Sequence, residues 1–117
     1  EERARQVMET FGGEVGYNPT AHSFFMSALL FSLQPTREVV ITARSREDAQ
    51  GMLDRINGSF VPFATFLLNT GDEELHEIAP FTREQKMVEQ KPTAYVCKDF
   101  TCLEPVTEVD ALQGMLQ

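Results

Sequence analysis

The chain has 117 residues, of which 42% are hydrophobic and 24% charged, enough for one domain with a core and outside the disordered and fibrous classes. Its net charge of −8 argues against nucleic-acid binding, which needs Lys and Arg to displace phosphate counterions. No apolar run approaches the roughly 20 residues of a membrane span, and two cysteines are too few for a disulfide scaffold.

Ala4, Val7, Met8 and Phe11 recur at helical spacing. The glycines at 12 and 13 are expected to end that first helix. Arg3 and Arg5 on it, and Arg44 and Arg46 further on, are the closest basic neighbours, and a solvated surface accounts for them. Asn18 followed by Pro19 reads as an N-cap with proline at the first helical position. The second helix, about 19–33, carries Phe24, Phe25, Met26, Ala28, Leu29, Leu30, Phe31 and Leu33 around its whole circumference. A helix apolar on every side belongs in an interior, and a chain of this size covers it only in part. Missing neighbours or a second copy are therefore expected.

Past Pro35 the pattern changes. Glu38–Thr42 is a β-branched run read as a buried strand. Ser45 with Asp48 three residues on gives a capping-box start, Ala49, Met52, Leu53 and Ile56 supply a helix face, and Asn57-Gly58 closes it. Ala64–Leu68 is a second strand, which makes a βαβ unit with parallel strands. The stretch 69–92 holds a short helix at 73–79, stopped by Pro80. Thr93–Cys97 is a third strand, and Thr107 with Asp110 starts a closing helix bearing Val109, Leu112 and Leu116. The expected fold is α/β: a helical hairpin, 1–35, followed by a small α/β unit, 36–117, with a mainly parallel three-stranded sheet and a C-terminal helix.

Cys97 and Cys102 flank a four-residue turn and so face each other on a short hairpin. They can be separate buried thiols, a redox-responsive pair, or ligands of a soft metal. C-x4-C supplies two of the four ligands zinc takes, and only His22 and His76 stand elsewhere, so no metal is expected. The spacing also differs from the C-x-x-C of thioredoxin-type sites. The connection Ala43–Arg46 lacks a glycine-rich phosphate cradle, which leaves at most an anion at the helix N-terminus. The carboxylates at 72, 73, 74, 77, 99, 104, 108 and 110 form no recognisable catalytic pair and read as a solvated acidic face. His76, set among glutamates, reads as a solvated helix residue.

Two segments resemble a known family. Lys91-Pro92-Thr93-Ala94 with Tyr95-Val96-Cys97-Lys98-Asp99-Phe100-Thr101-Cys102-Leu103-Glu104-Pro105-Val106-Thr107 is similar to the C-terminus of the YyaL-like, thioredoxin-domain-containing proteins related to spermatogenesis-associated protein 20. The run Gly13–Pro19, then Ser27–Leu29 and Glu38–Ile41, resembles the segment preceding that tail. The resemblance implies a parent with an N-terminal thioredoxin-like domain, followed by a toroid of paired helices like those of six-hairpin glycosidases and N-acylglucosamine epimerases. Residues 1–34 would be its last hairpin. In such toroids the loops entering inner helices line the cleft, which makes Tyr17 and His22 candidates for sugar stacking and general acid chemistry. The expected function is a non-catalytic C-terminal structural unit that closes the toroid. The alternatives are part of a carbohydrate-processing enzyme, or a thiol redox element through Cys97 and Cys102. No cofactor, nucleic acid or membrane partner is expected. The expected partner is the rest of the parent, with self-association open to the isolated chain, and the expected compartment is the cytoplasm.

Overall fold

The structure, a computed structural model, describes residues 2–99 and 101–117 and divides the chain into two units, Glu1–Pro35 and Thr36–Gln117. In the first unit, helix α1 (Glu2–Tyr17) does not stop at the glycines but runs through Gly12, Gly13 and Gly16. Each glycine costs a helix roughly 1 kcal/mol relative to Ala. Continuation places Val15 on the stripe begun by Met8 and Phe11, and Val15 is the residue of α1 that is buried. A single 3-10 turn, Pro19–His22, leads into α2 (Ser23–Leu33). Pro19 opens that turn as expected, but Asn18 does not cap it through its side chain. Its Oδ1 accepts from the Thr20 hydroxyl instead, at 3.1 Å. No residue of α2 is buried.

The second unit is built on β1 (Arg37–Thr42), a central strand whose residues alternate between two covered faces. Val39 and Ile41 meet Met52 and Ile56 of α3 (Gln50–Asn57) and Leu112 of α5 (Val109–Leu116) in the main core. Val40 and Thr42 point the opposite way and are also buried. At the start of β1, the Arg37 guanidinium donates to the carbonyls of Met115 and Leu116 at 3.1 and 2.8 Å. It thereby satisfies the free C-terminal carbonyls of α5 with a cation.

The α/β class, the parallel pairing of β1 with β2 (Ala64–Asn69) and the C-terminal helix agree with the sequence reading. The sheet itself is mixed and four-stranded, in the order β2-β1-β3-β4. Strand β3 (Thr93–Lys98) runs antiparallel to β1, and β4 (Thr101–Cys102) antiparallel to β3. The reason lies at the ends of the parallel pair. Thr42 Oγ1 donates to the Gln85 carbonyl at 3.0 Å and Asn69 Nδ2 to the Thr82 carbonyl at 2.9 Å. The chain after β2, which includes α4 (Glu73–Ile78), is thus held at the C-terminal end of both strands. It then enters β3 from that end, with Thr93 opposite Thr42. A parallel third strand needs a crossover back to the other end. A tight turn at Glu89-Gln90, both with positive φ (50° and 59°), directs this entry, and Arg44 holds it by donating to the Gln90 carbonyl at 2.9 Å.

The Ser45–Asp48 cap forms one turn ahead of the regular helix: the Asp48 N–H donates to Ser45 Oγ at 3.2 Å, and the Arg44 N–H to the Asp48 carboxylate at 3.3 Å. The expected Thr107 box does not form. Helix α5 begins after Glu108, without a side-chain cap, because Asp110 turns instead to Arg55 of α3 at 3.2 Å. Leu112 is fully buried at the centre of the core. Leu112→Ala should therefore lower the unfolding free energy by about 2–5 kcal/mol in a denaturant titration.

Candidate functional site

The second face of the sheet gathers the chemistry. Glu38 of β1 stands opposite Cys97 of β3, and Cys97 opposite Cys102 of β4. The Leu103 N–H donates to the Val96 carbonyl at 2.9 Å, which marks Cys97 and Cys102 as a pair without backbone hydrogen bonds between them. In such pairs the side chains come closest. The sulfurs are joined, with an S–S distance of 2.02 Å and a Cα–Cα distance of 3.8 Å. The expectation of separate buried thiols is thereby corrected: the hairpin sets the two side chains close enough to bond. Asp99, with φ of 50°, supplies a left-handed residue in the turn that brings them together, a conformation Asp takes more readily than most.

The two cysteines differ in environment. Cys97 is 2% exposed, whereas Cys102 lies on the short outer strand and is exposed. Gln85 bridges them from above: its Nε2 lies 3.7 Å from Cys97 Sγ and 3.8 Å from Cys102 Sγ. Its Oε1 is buried and has no hydrogen-bond partner among the described residues. Phe81, Tyr95 and the disulfide form the walls of a pocket of about 320 Å3, with Glu38 and Glu84 beside them. The Tyr95 hydroxyl is anchored by donating to the Lys86 carbonyl at 2.5 Å. Among the described residues neither Glu38 nor Glu84 has an ion-pair partner.

Sequence reasoning found Cys97 and Cys102 but missed Gln85, Glu38, Glu84 and Phe81. Only the fold juxtaposes these four, since residues 81–85 carry no strand or helix period of their own. His76 was also misread. It is half-buried, and its Nε2 lies 3.1 Å from Asn69 Oδ1, so it belongs to the network at the end of β2. The other amide atom of Asn69 holds the Thr82 carbonyl. Tyr17, the last residue of α1, is 94% exposed, and His22 ends the 3-10 turn half-buried. Neither side chain has a hydrogen-bond partner among the described residues.

The anion site considered at the start of α3 is filled by the chain itself. The Asp48 carboxylate takes the Arg44 N–H. The Glu47 carboxyl is held below its usual range by a hydrogen bond from its own backbone N–H, then by Ser45 and the charge of Arg46. Among the described residues, no three His, Cys, Asp or Glu side chains converge as a metal site. Nor, among the described residues, is any helix long and apolar enough to cross a membrane. Of the carboxylates singled out from sequence, Glu73 pairs with Arg83, Glu108 with Lys91 at 4.0 Å and Asp110 with Arg55 at 3.2 Å.

No family model matches the chain, and no solved structure matches it. Among curated proteins it is similar to spermatogenesis-associated protein 20 of Homo sapiens, with 27% identity over 113 residues. The match covers 94% of this chain but 14% of that protein, so the chain spans a small part of its relative's length.

Joining cysteines five positions apart removes little chain freedom from the unfolded state. Reduction without substitution should cost about 2 kcal/mol of unfolding free energy. Parallel denaturant titrations with and without reductant check this, and a loss above about 4 kcal/mol would mean that the pair does more than close a loop.

Proposed function

We propose that this chain is a non-catalytic structural unit of a longer YyaL-like polypeptide, whose α1–α2 hairpin packs against neighbouring helical hairpins of a paired-helix toroid. One observation carries the reading: α2 is apolar around its whole circumference, yet none of its residues is buried. Phe24 is 91% exposed and Leu33 70%. The two serines that interrupt the apolar run do not make a polar face. Ser27 Oγ donates to the Ser23 carbonyl at 3.2 Å and Ser32 Oγ to the Leu29 carbonyl at 2.7 Å, so both hydroxyls are satisfied within the helix.

Covering one such side chain stabilises by roughly 1.5–3 kcal/mol, so a partner surface along this helix gains several terms of that size. The occupant we assign is a helix of the same long polypeptide. The similar human protein extends far beyond the matched stretch, and the family that the sequence resembles surrounds this hairpin with others. A second copy is disfavoured because each chain carries a net charge of −8. The α/β unit then serves to close and brace the assembly, and Tyr17 and His22, at the turn between the two helices, are its residues nearest to a cleft.

The isolated chain is expected to enhance the fluorescence of a hydrophobic dye. Phe24→Ser combined with Leu33→Ser should remove at least about half of that enhancement while changing the unfolding free energy of the α/β unit by less than about 0.5 kcal/mol. Amides of α2 should gain hydrogen-exchange protection when the chain is part of the longer polypeptide. A dye-silent monomer, or a stable homodimer that buries Phe24 and Leu33, would overturn the assignment.

A further inference from the structure

We propose that the Cys97–Cys102 disulfide is a thiol-exchange site, entered at Cys102 and selective for thiols that carry positive charge on a short apolar stem. The pair is built asymmetrically. Displacement requires the entering sulfur to reach one disulfide sulfur while the other leaves. Cys97 is 2% exposed within the sheet, whereas Cys102 is exposed on the outer strand, so Cys102 is attacked and Cys97 leaves. Gln85 Nε2 stands 3.7 Å from Cys97 Sγ and 3.8 Å from Cys102 Sγ, so the asymmetry lies in exposure, and the amide is a donor within reach of the sulfur that leaves. A hydrogen bond to a thiolate stabilises its charged form, and a better-stabilised leaving thiolate departs faster.

The step balances without any group absent from the site except the thiol itself. The entering thiolate bonds to Cys102 Sγ as the Sγ–Sγ bond breaks. Cys97 departs with the electron pair and takes a proton from solvent. A second external thiol then displaces Cys102 from the mixed disulfide. The two external thiols leave joined to each other, and the chain keeps two thiols, reduced by two electrons and two protons.

The charge preference comes from the pocket next to the sulfurs. Its carboxylates, Glu38 and Glu84, have no cation partner among the described residues. Phe81 and Tyr95 add aromatic surface of the kind that attracts cations. An anionic thiol meets repulsion there, and an ammonium-bearing one meets attraction.

The test compares cysteamine with 3-mercaptopropionate on the folded full chain. Rates are normalised to thiolate concentration, and released protein thiols are counted by alkylation and mass spectrometry. Cysteamine should react about fivefold faster, a preference that shrinks in 0.5 M salt and in the Glu38→Gln, Glu84→Gln double variant. After an early quench, peptide mapping should find cysteamine on Cys102 and the alkylating group on Cys97. Equal rates for the two thiols, cysteamine found on Cys97, or a disulfide that reacts only after denaturant unfolds the chain would each overturn the proposal. The salt comparison needs no substitution, so it decides the charge preference even if a variant folds poorly.

Discussion

Two side chains at the ends of the parallel strands set the plan of the α/β unit. Thr42 and Asn69 reach across the strand termini and hold the carbonyls of Gln85 and Thr82. A buried carbonyl without a partner costs about 1–3 kcal/mol, so these contacts fix where the connecting segment crosses the sheet. Three consequences follow from that one attachment. The chain enters β3 from the near end and must run antiparallel. The segment 79–85 lies over the second face of β1, the face on which Val40 is buried. And the Gln85 side chain, whose backbone is pinned by Thr42, is delivered above the two sulfurs.

This attachment also marks where the sequence stops being legible. The β-branched run at 38–42, the helix face from Ala49 to Ile56 and the closing helix with Leu112 and Leu116 announce themselves by period, because burial on a known spacing is what a single sequence records. The hairpin geometry of Cys97 and Cys102 was readable for the same reason, being local. Thr42, Asn69 and Gln85 gave no such signal. Each is a polar residue whose role depends on a partner many positions away, and no local pattern encodes that distance. The sheet is not mainly parallel as expected, because the rule linking strand, helix and strand describes a crossover, whereas the segment after β2 never crosses and β3 runs antiparallel to β1.

The glycines at 12 and 13 show the opposite failure. A local rule pointed to a helix end, and burial of Val15 on the next turn overrode it. Ser45 and Thr107 make a matched pair in this respect. Both begin the same kind of box, yet only the first is used, because Asp110 has an arginine to meet on α3 while Asp48 is free to turn back on its own turn. Capping signals are therefore decided by competition for the carboxylate, which is a tertiary matter.

The two units differ in how far each accounts for its own sequence. In the α/β unit nearly every large apolar side chain of the central strand has a covering partner, and its helix-end carbonyls find Arg37. In the hairpin the most apolar helix of the chain has none of its residues buried, and even its serines bond inward. Selection for solubility alone does not produce such a helix, because its exposed phenylalanine and leucines forgo burial energy and invite aggregation. The α/β unit also exposes Phe60 and Ile78, at 93% and 85%, but it keeps a buried core, whereas α2 has no buried residue at all. The pocket beside the disulfide is lined wholly by residues of the α/β unit, so the side chains that give it its chemistry are set by that unit's own fold.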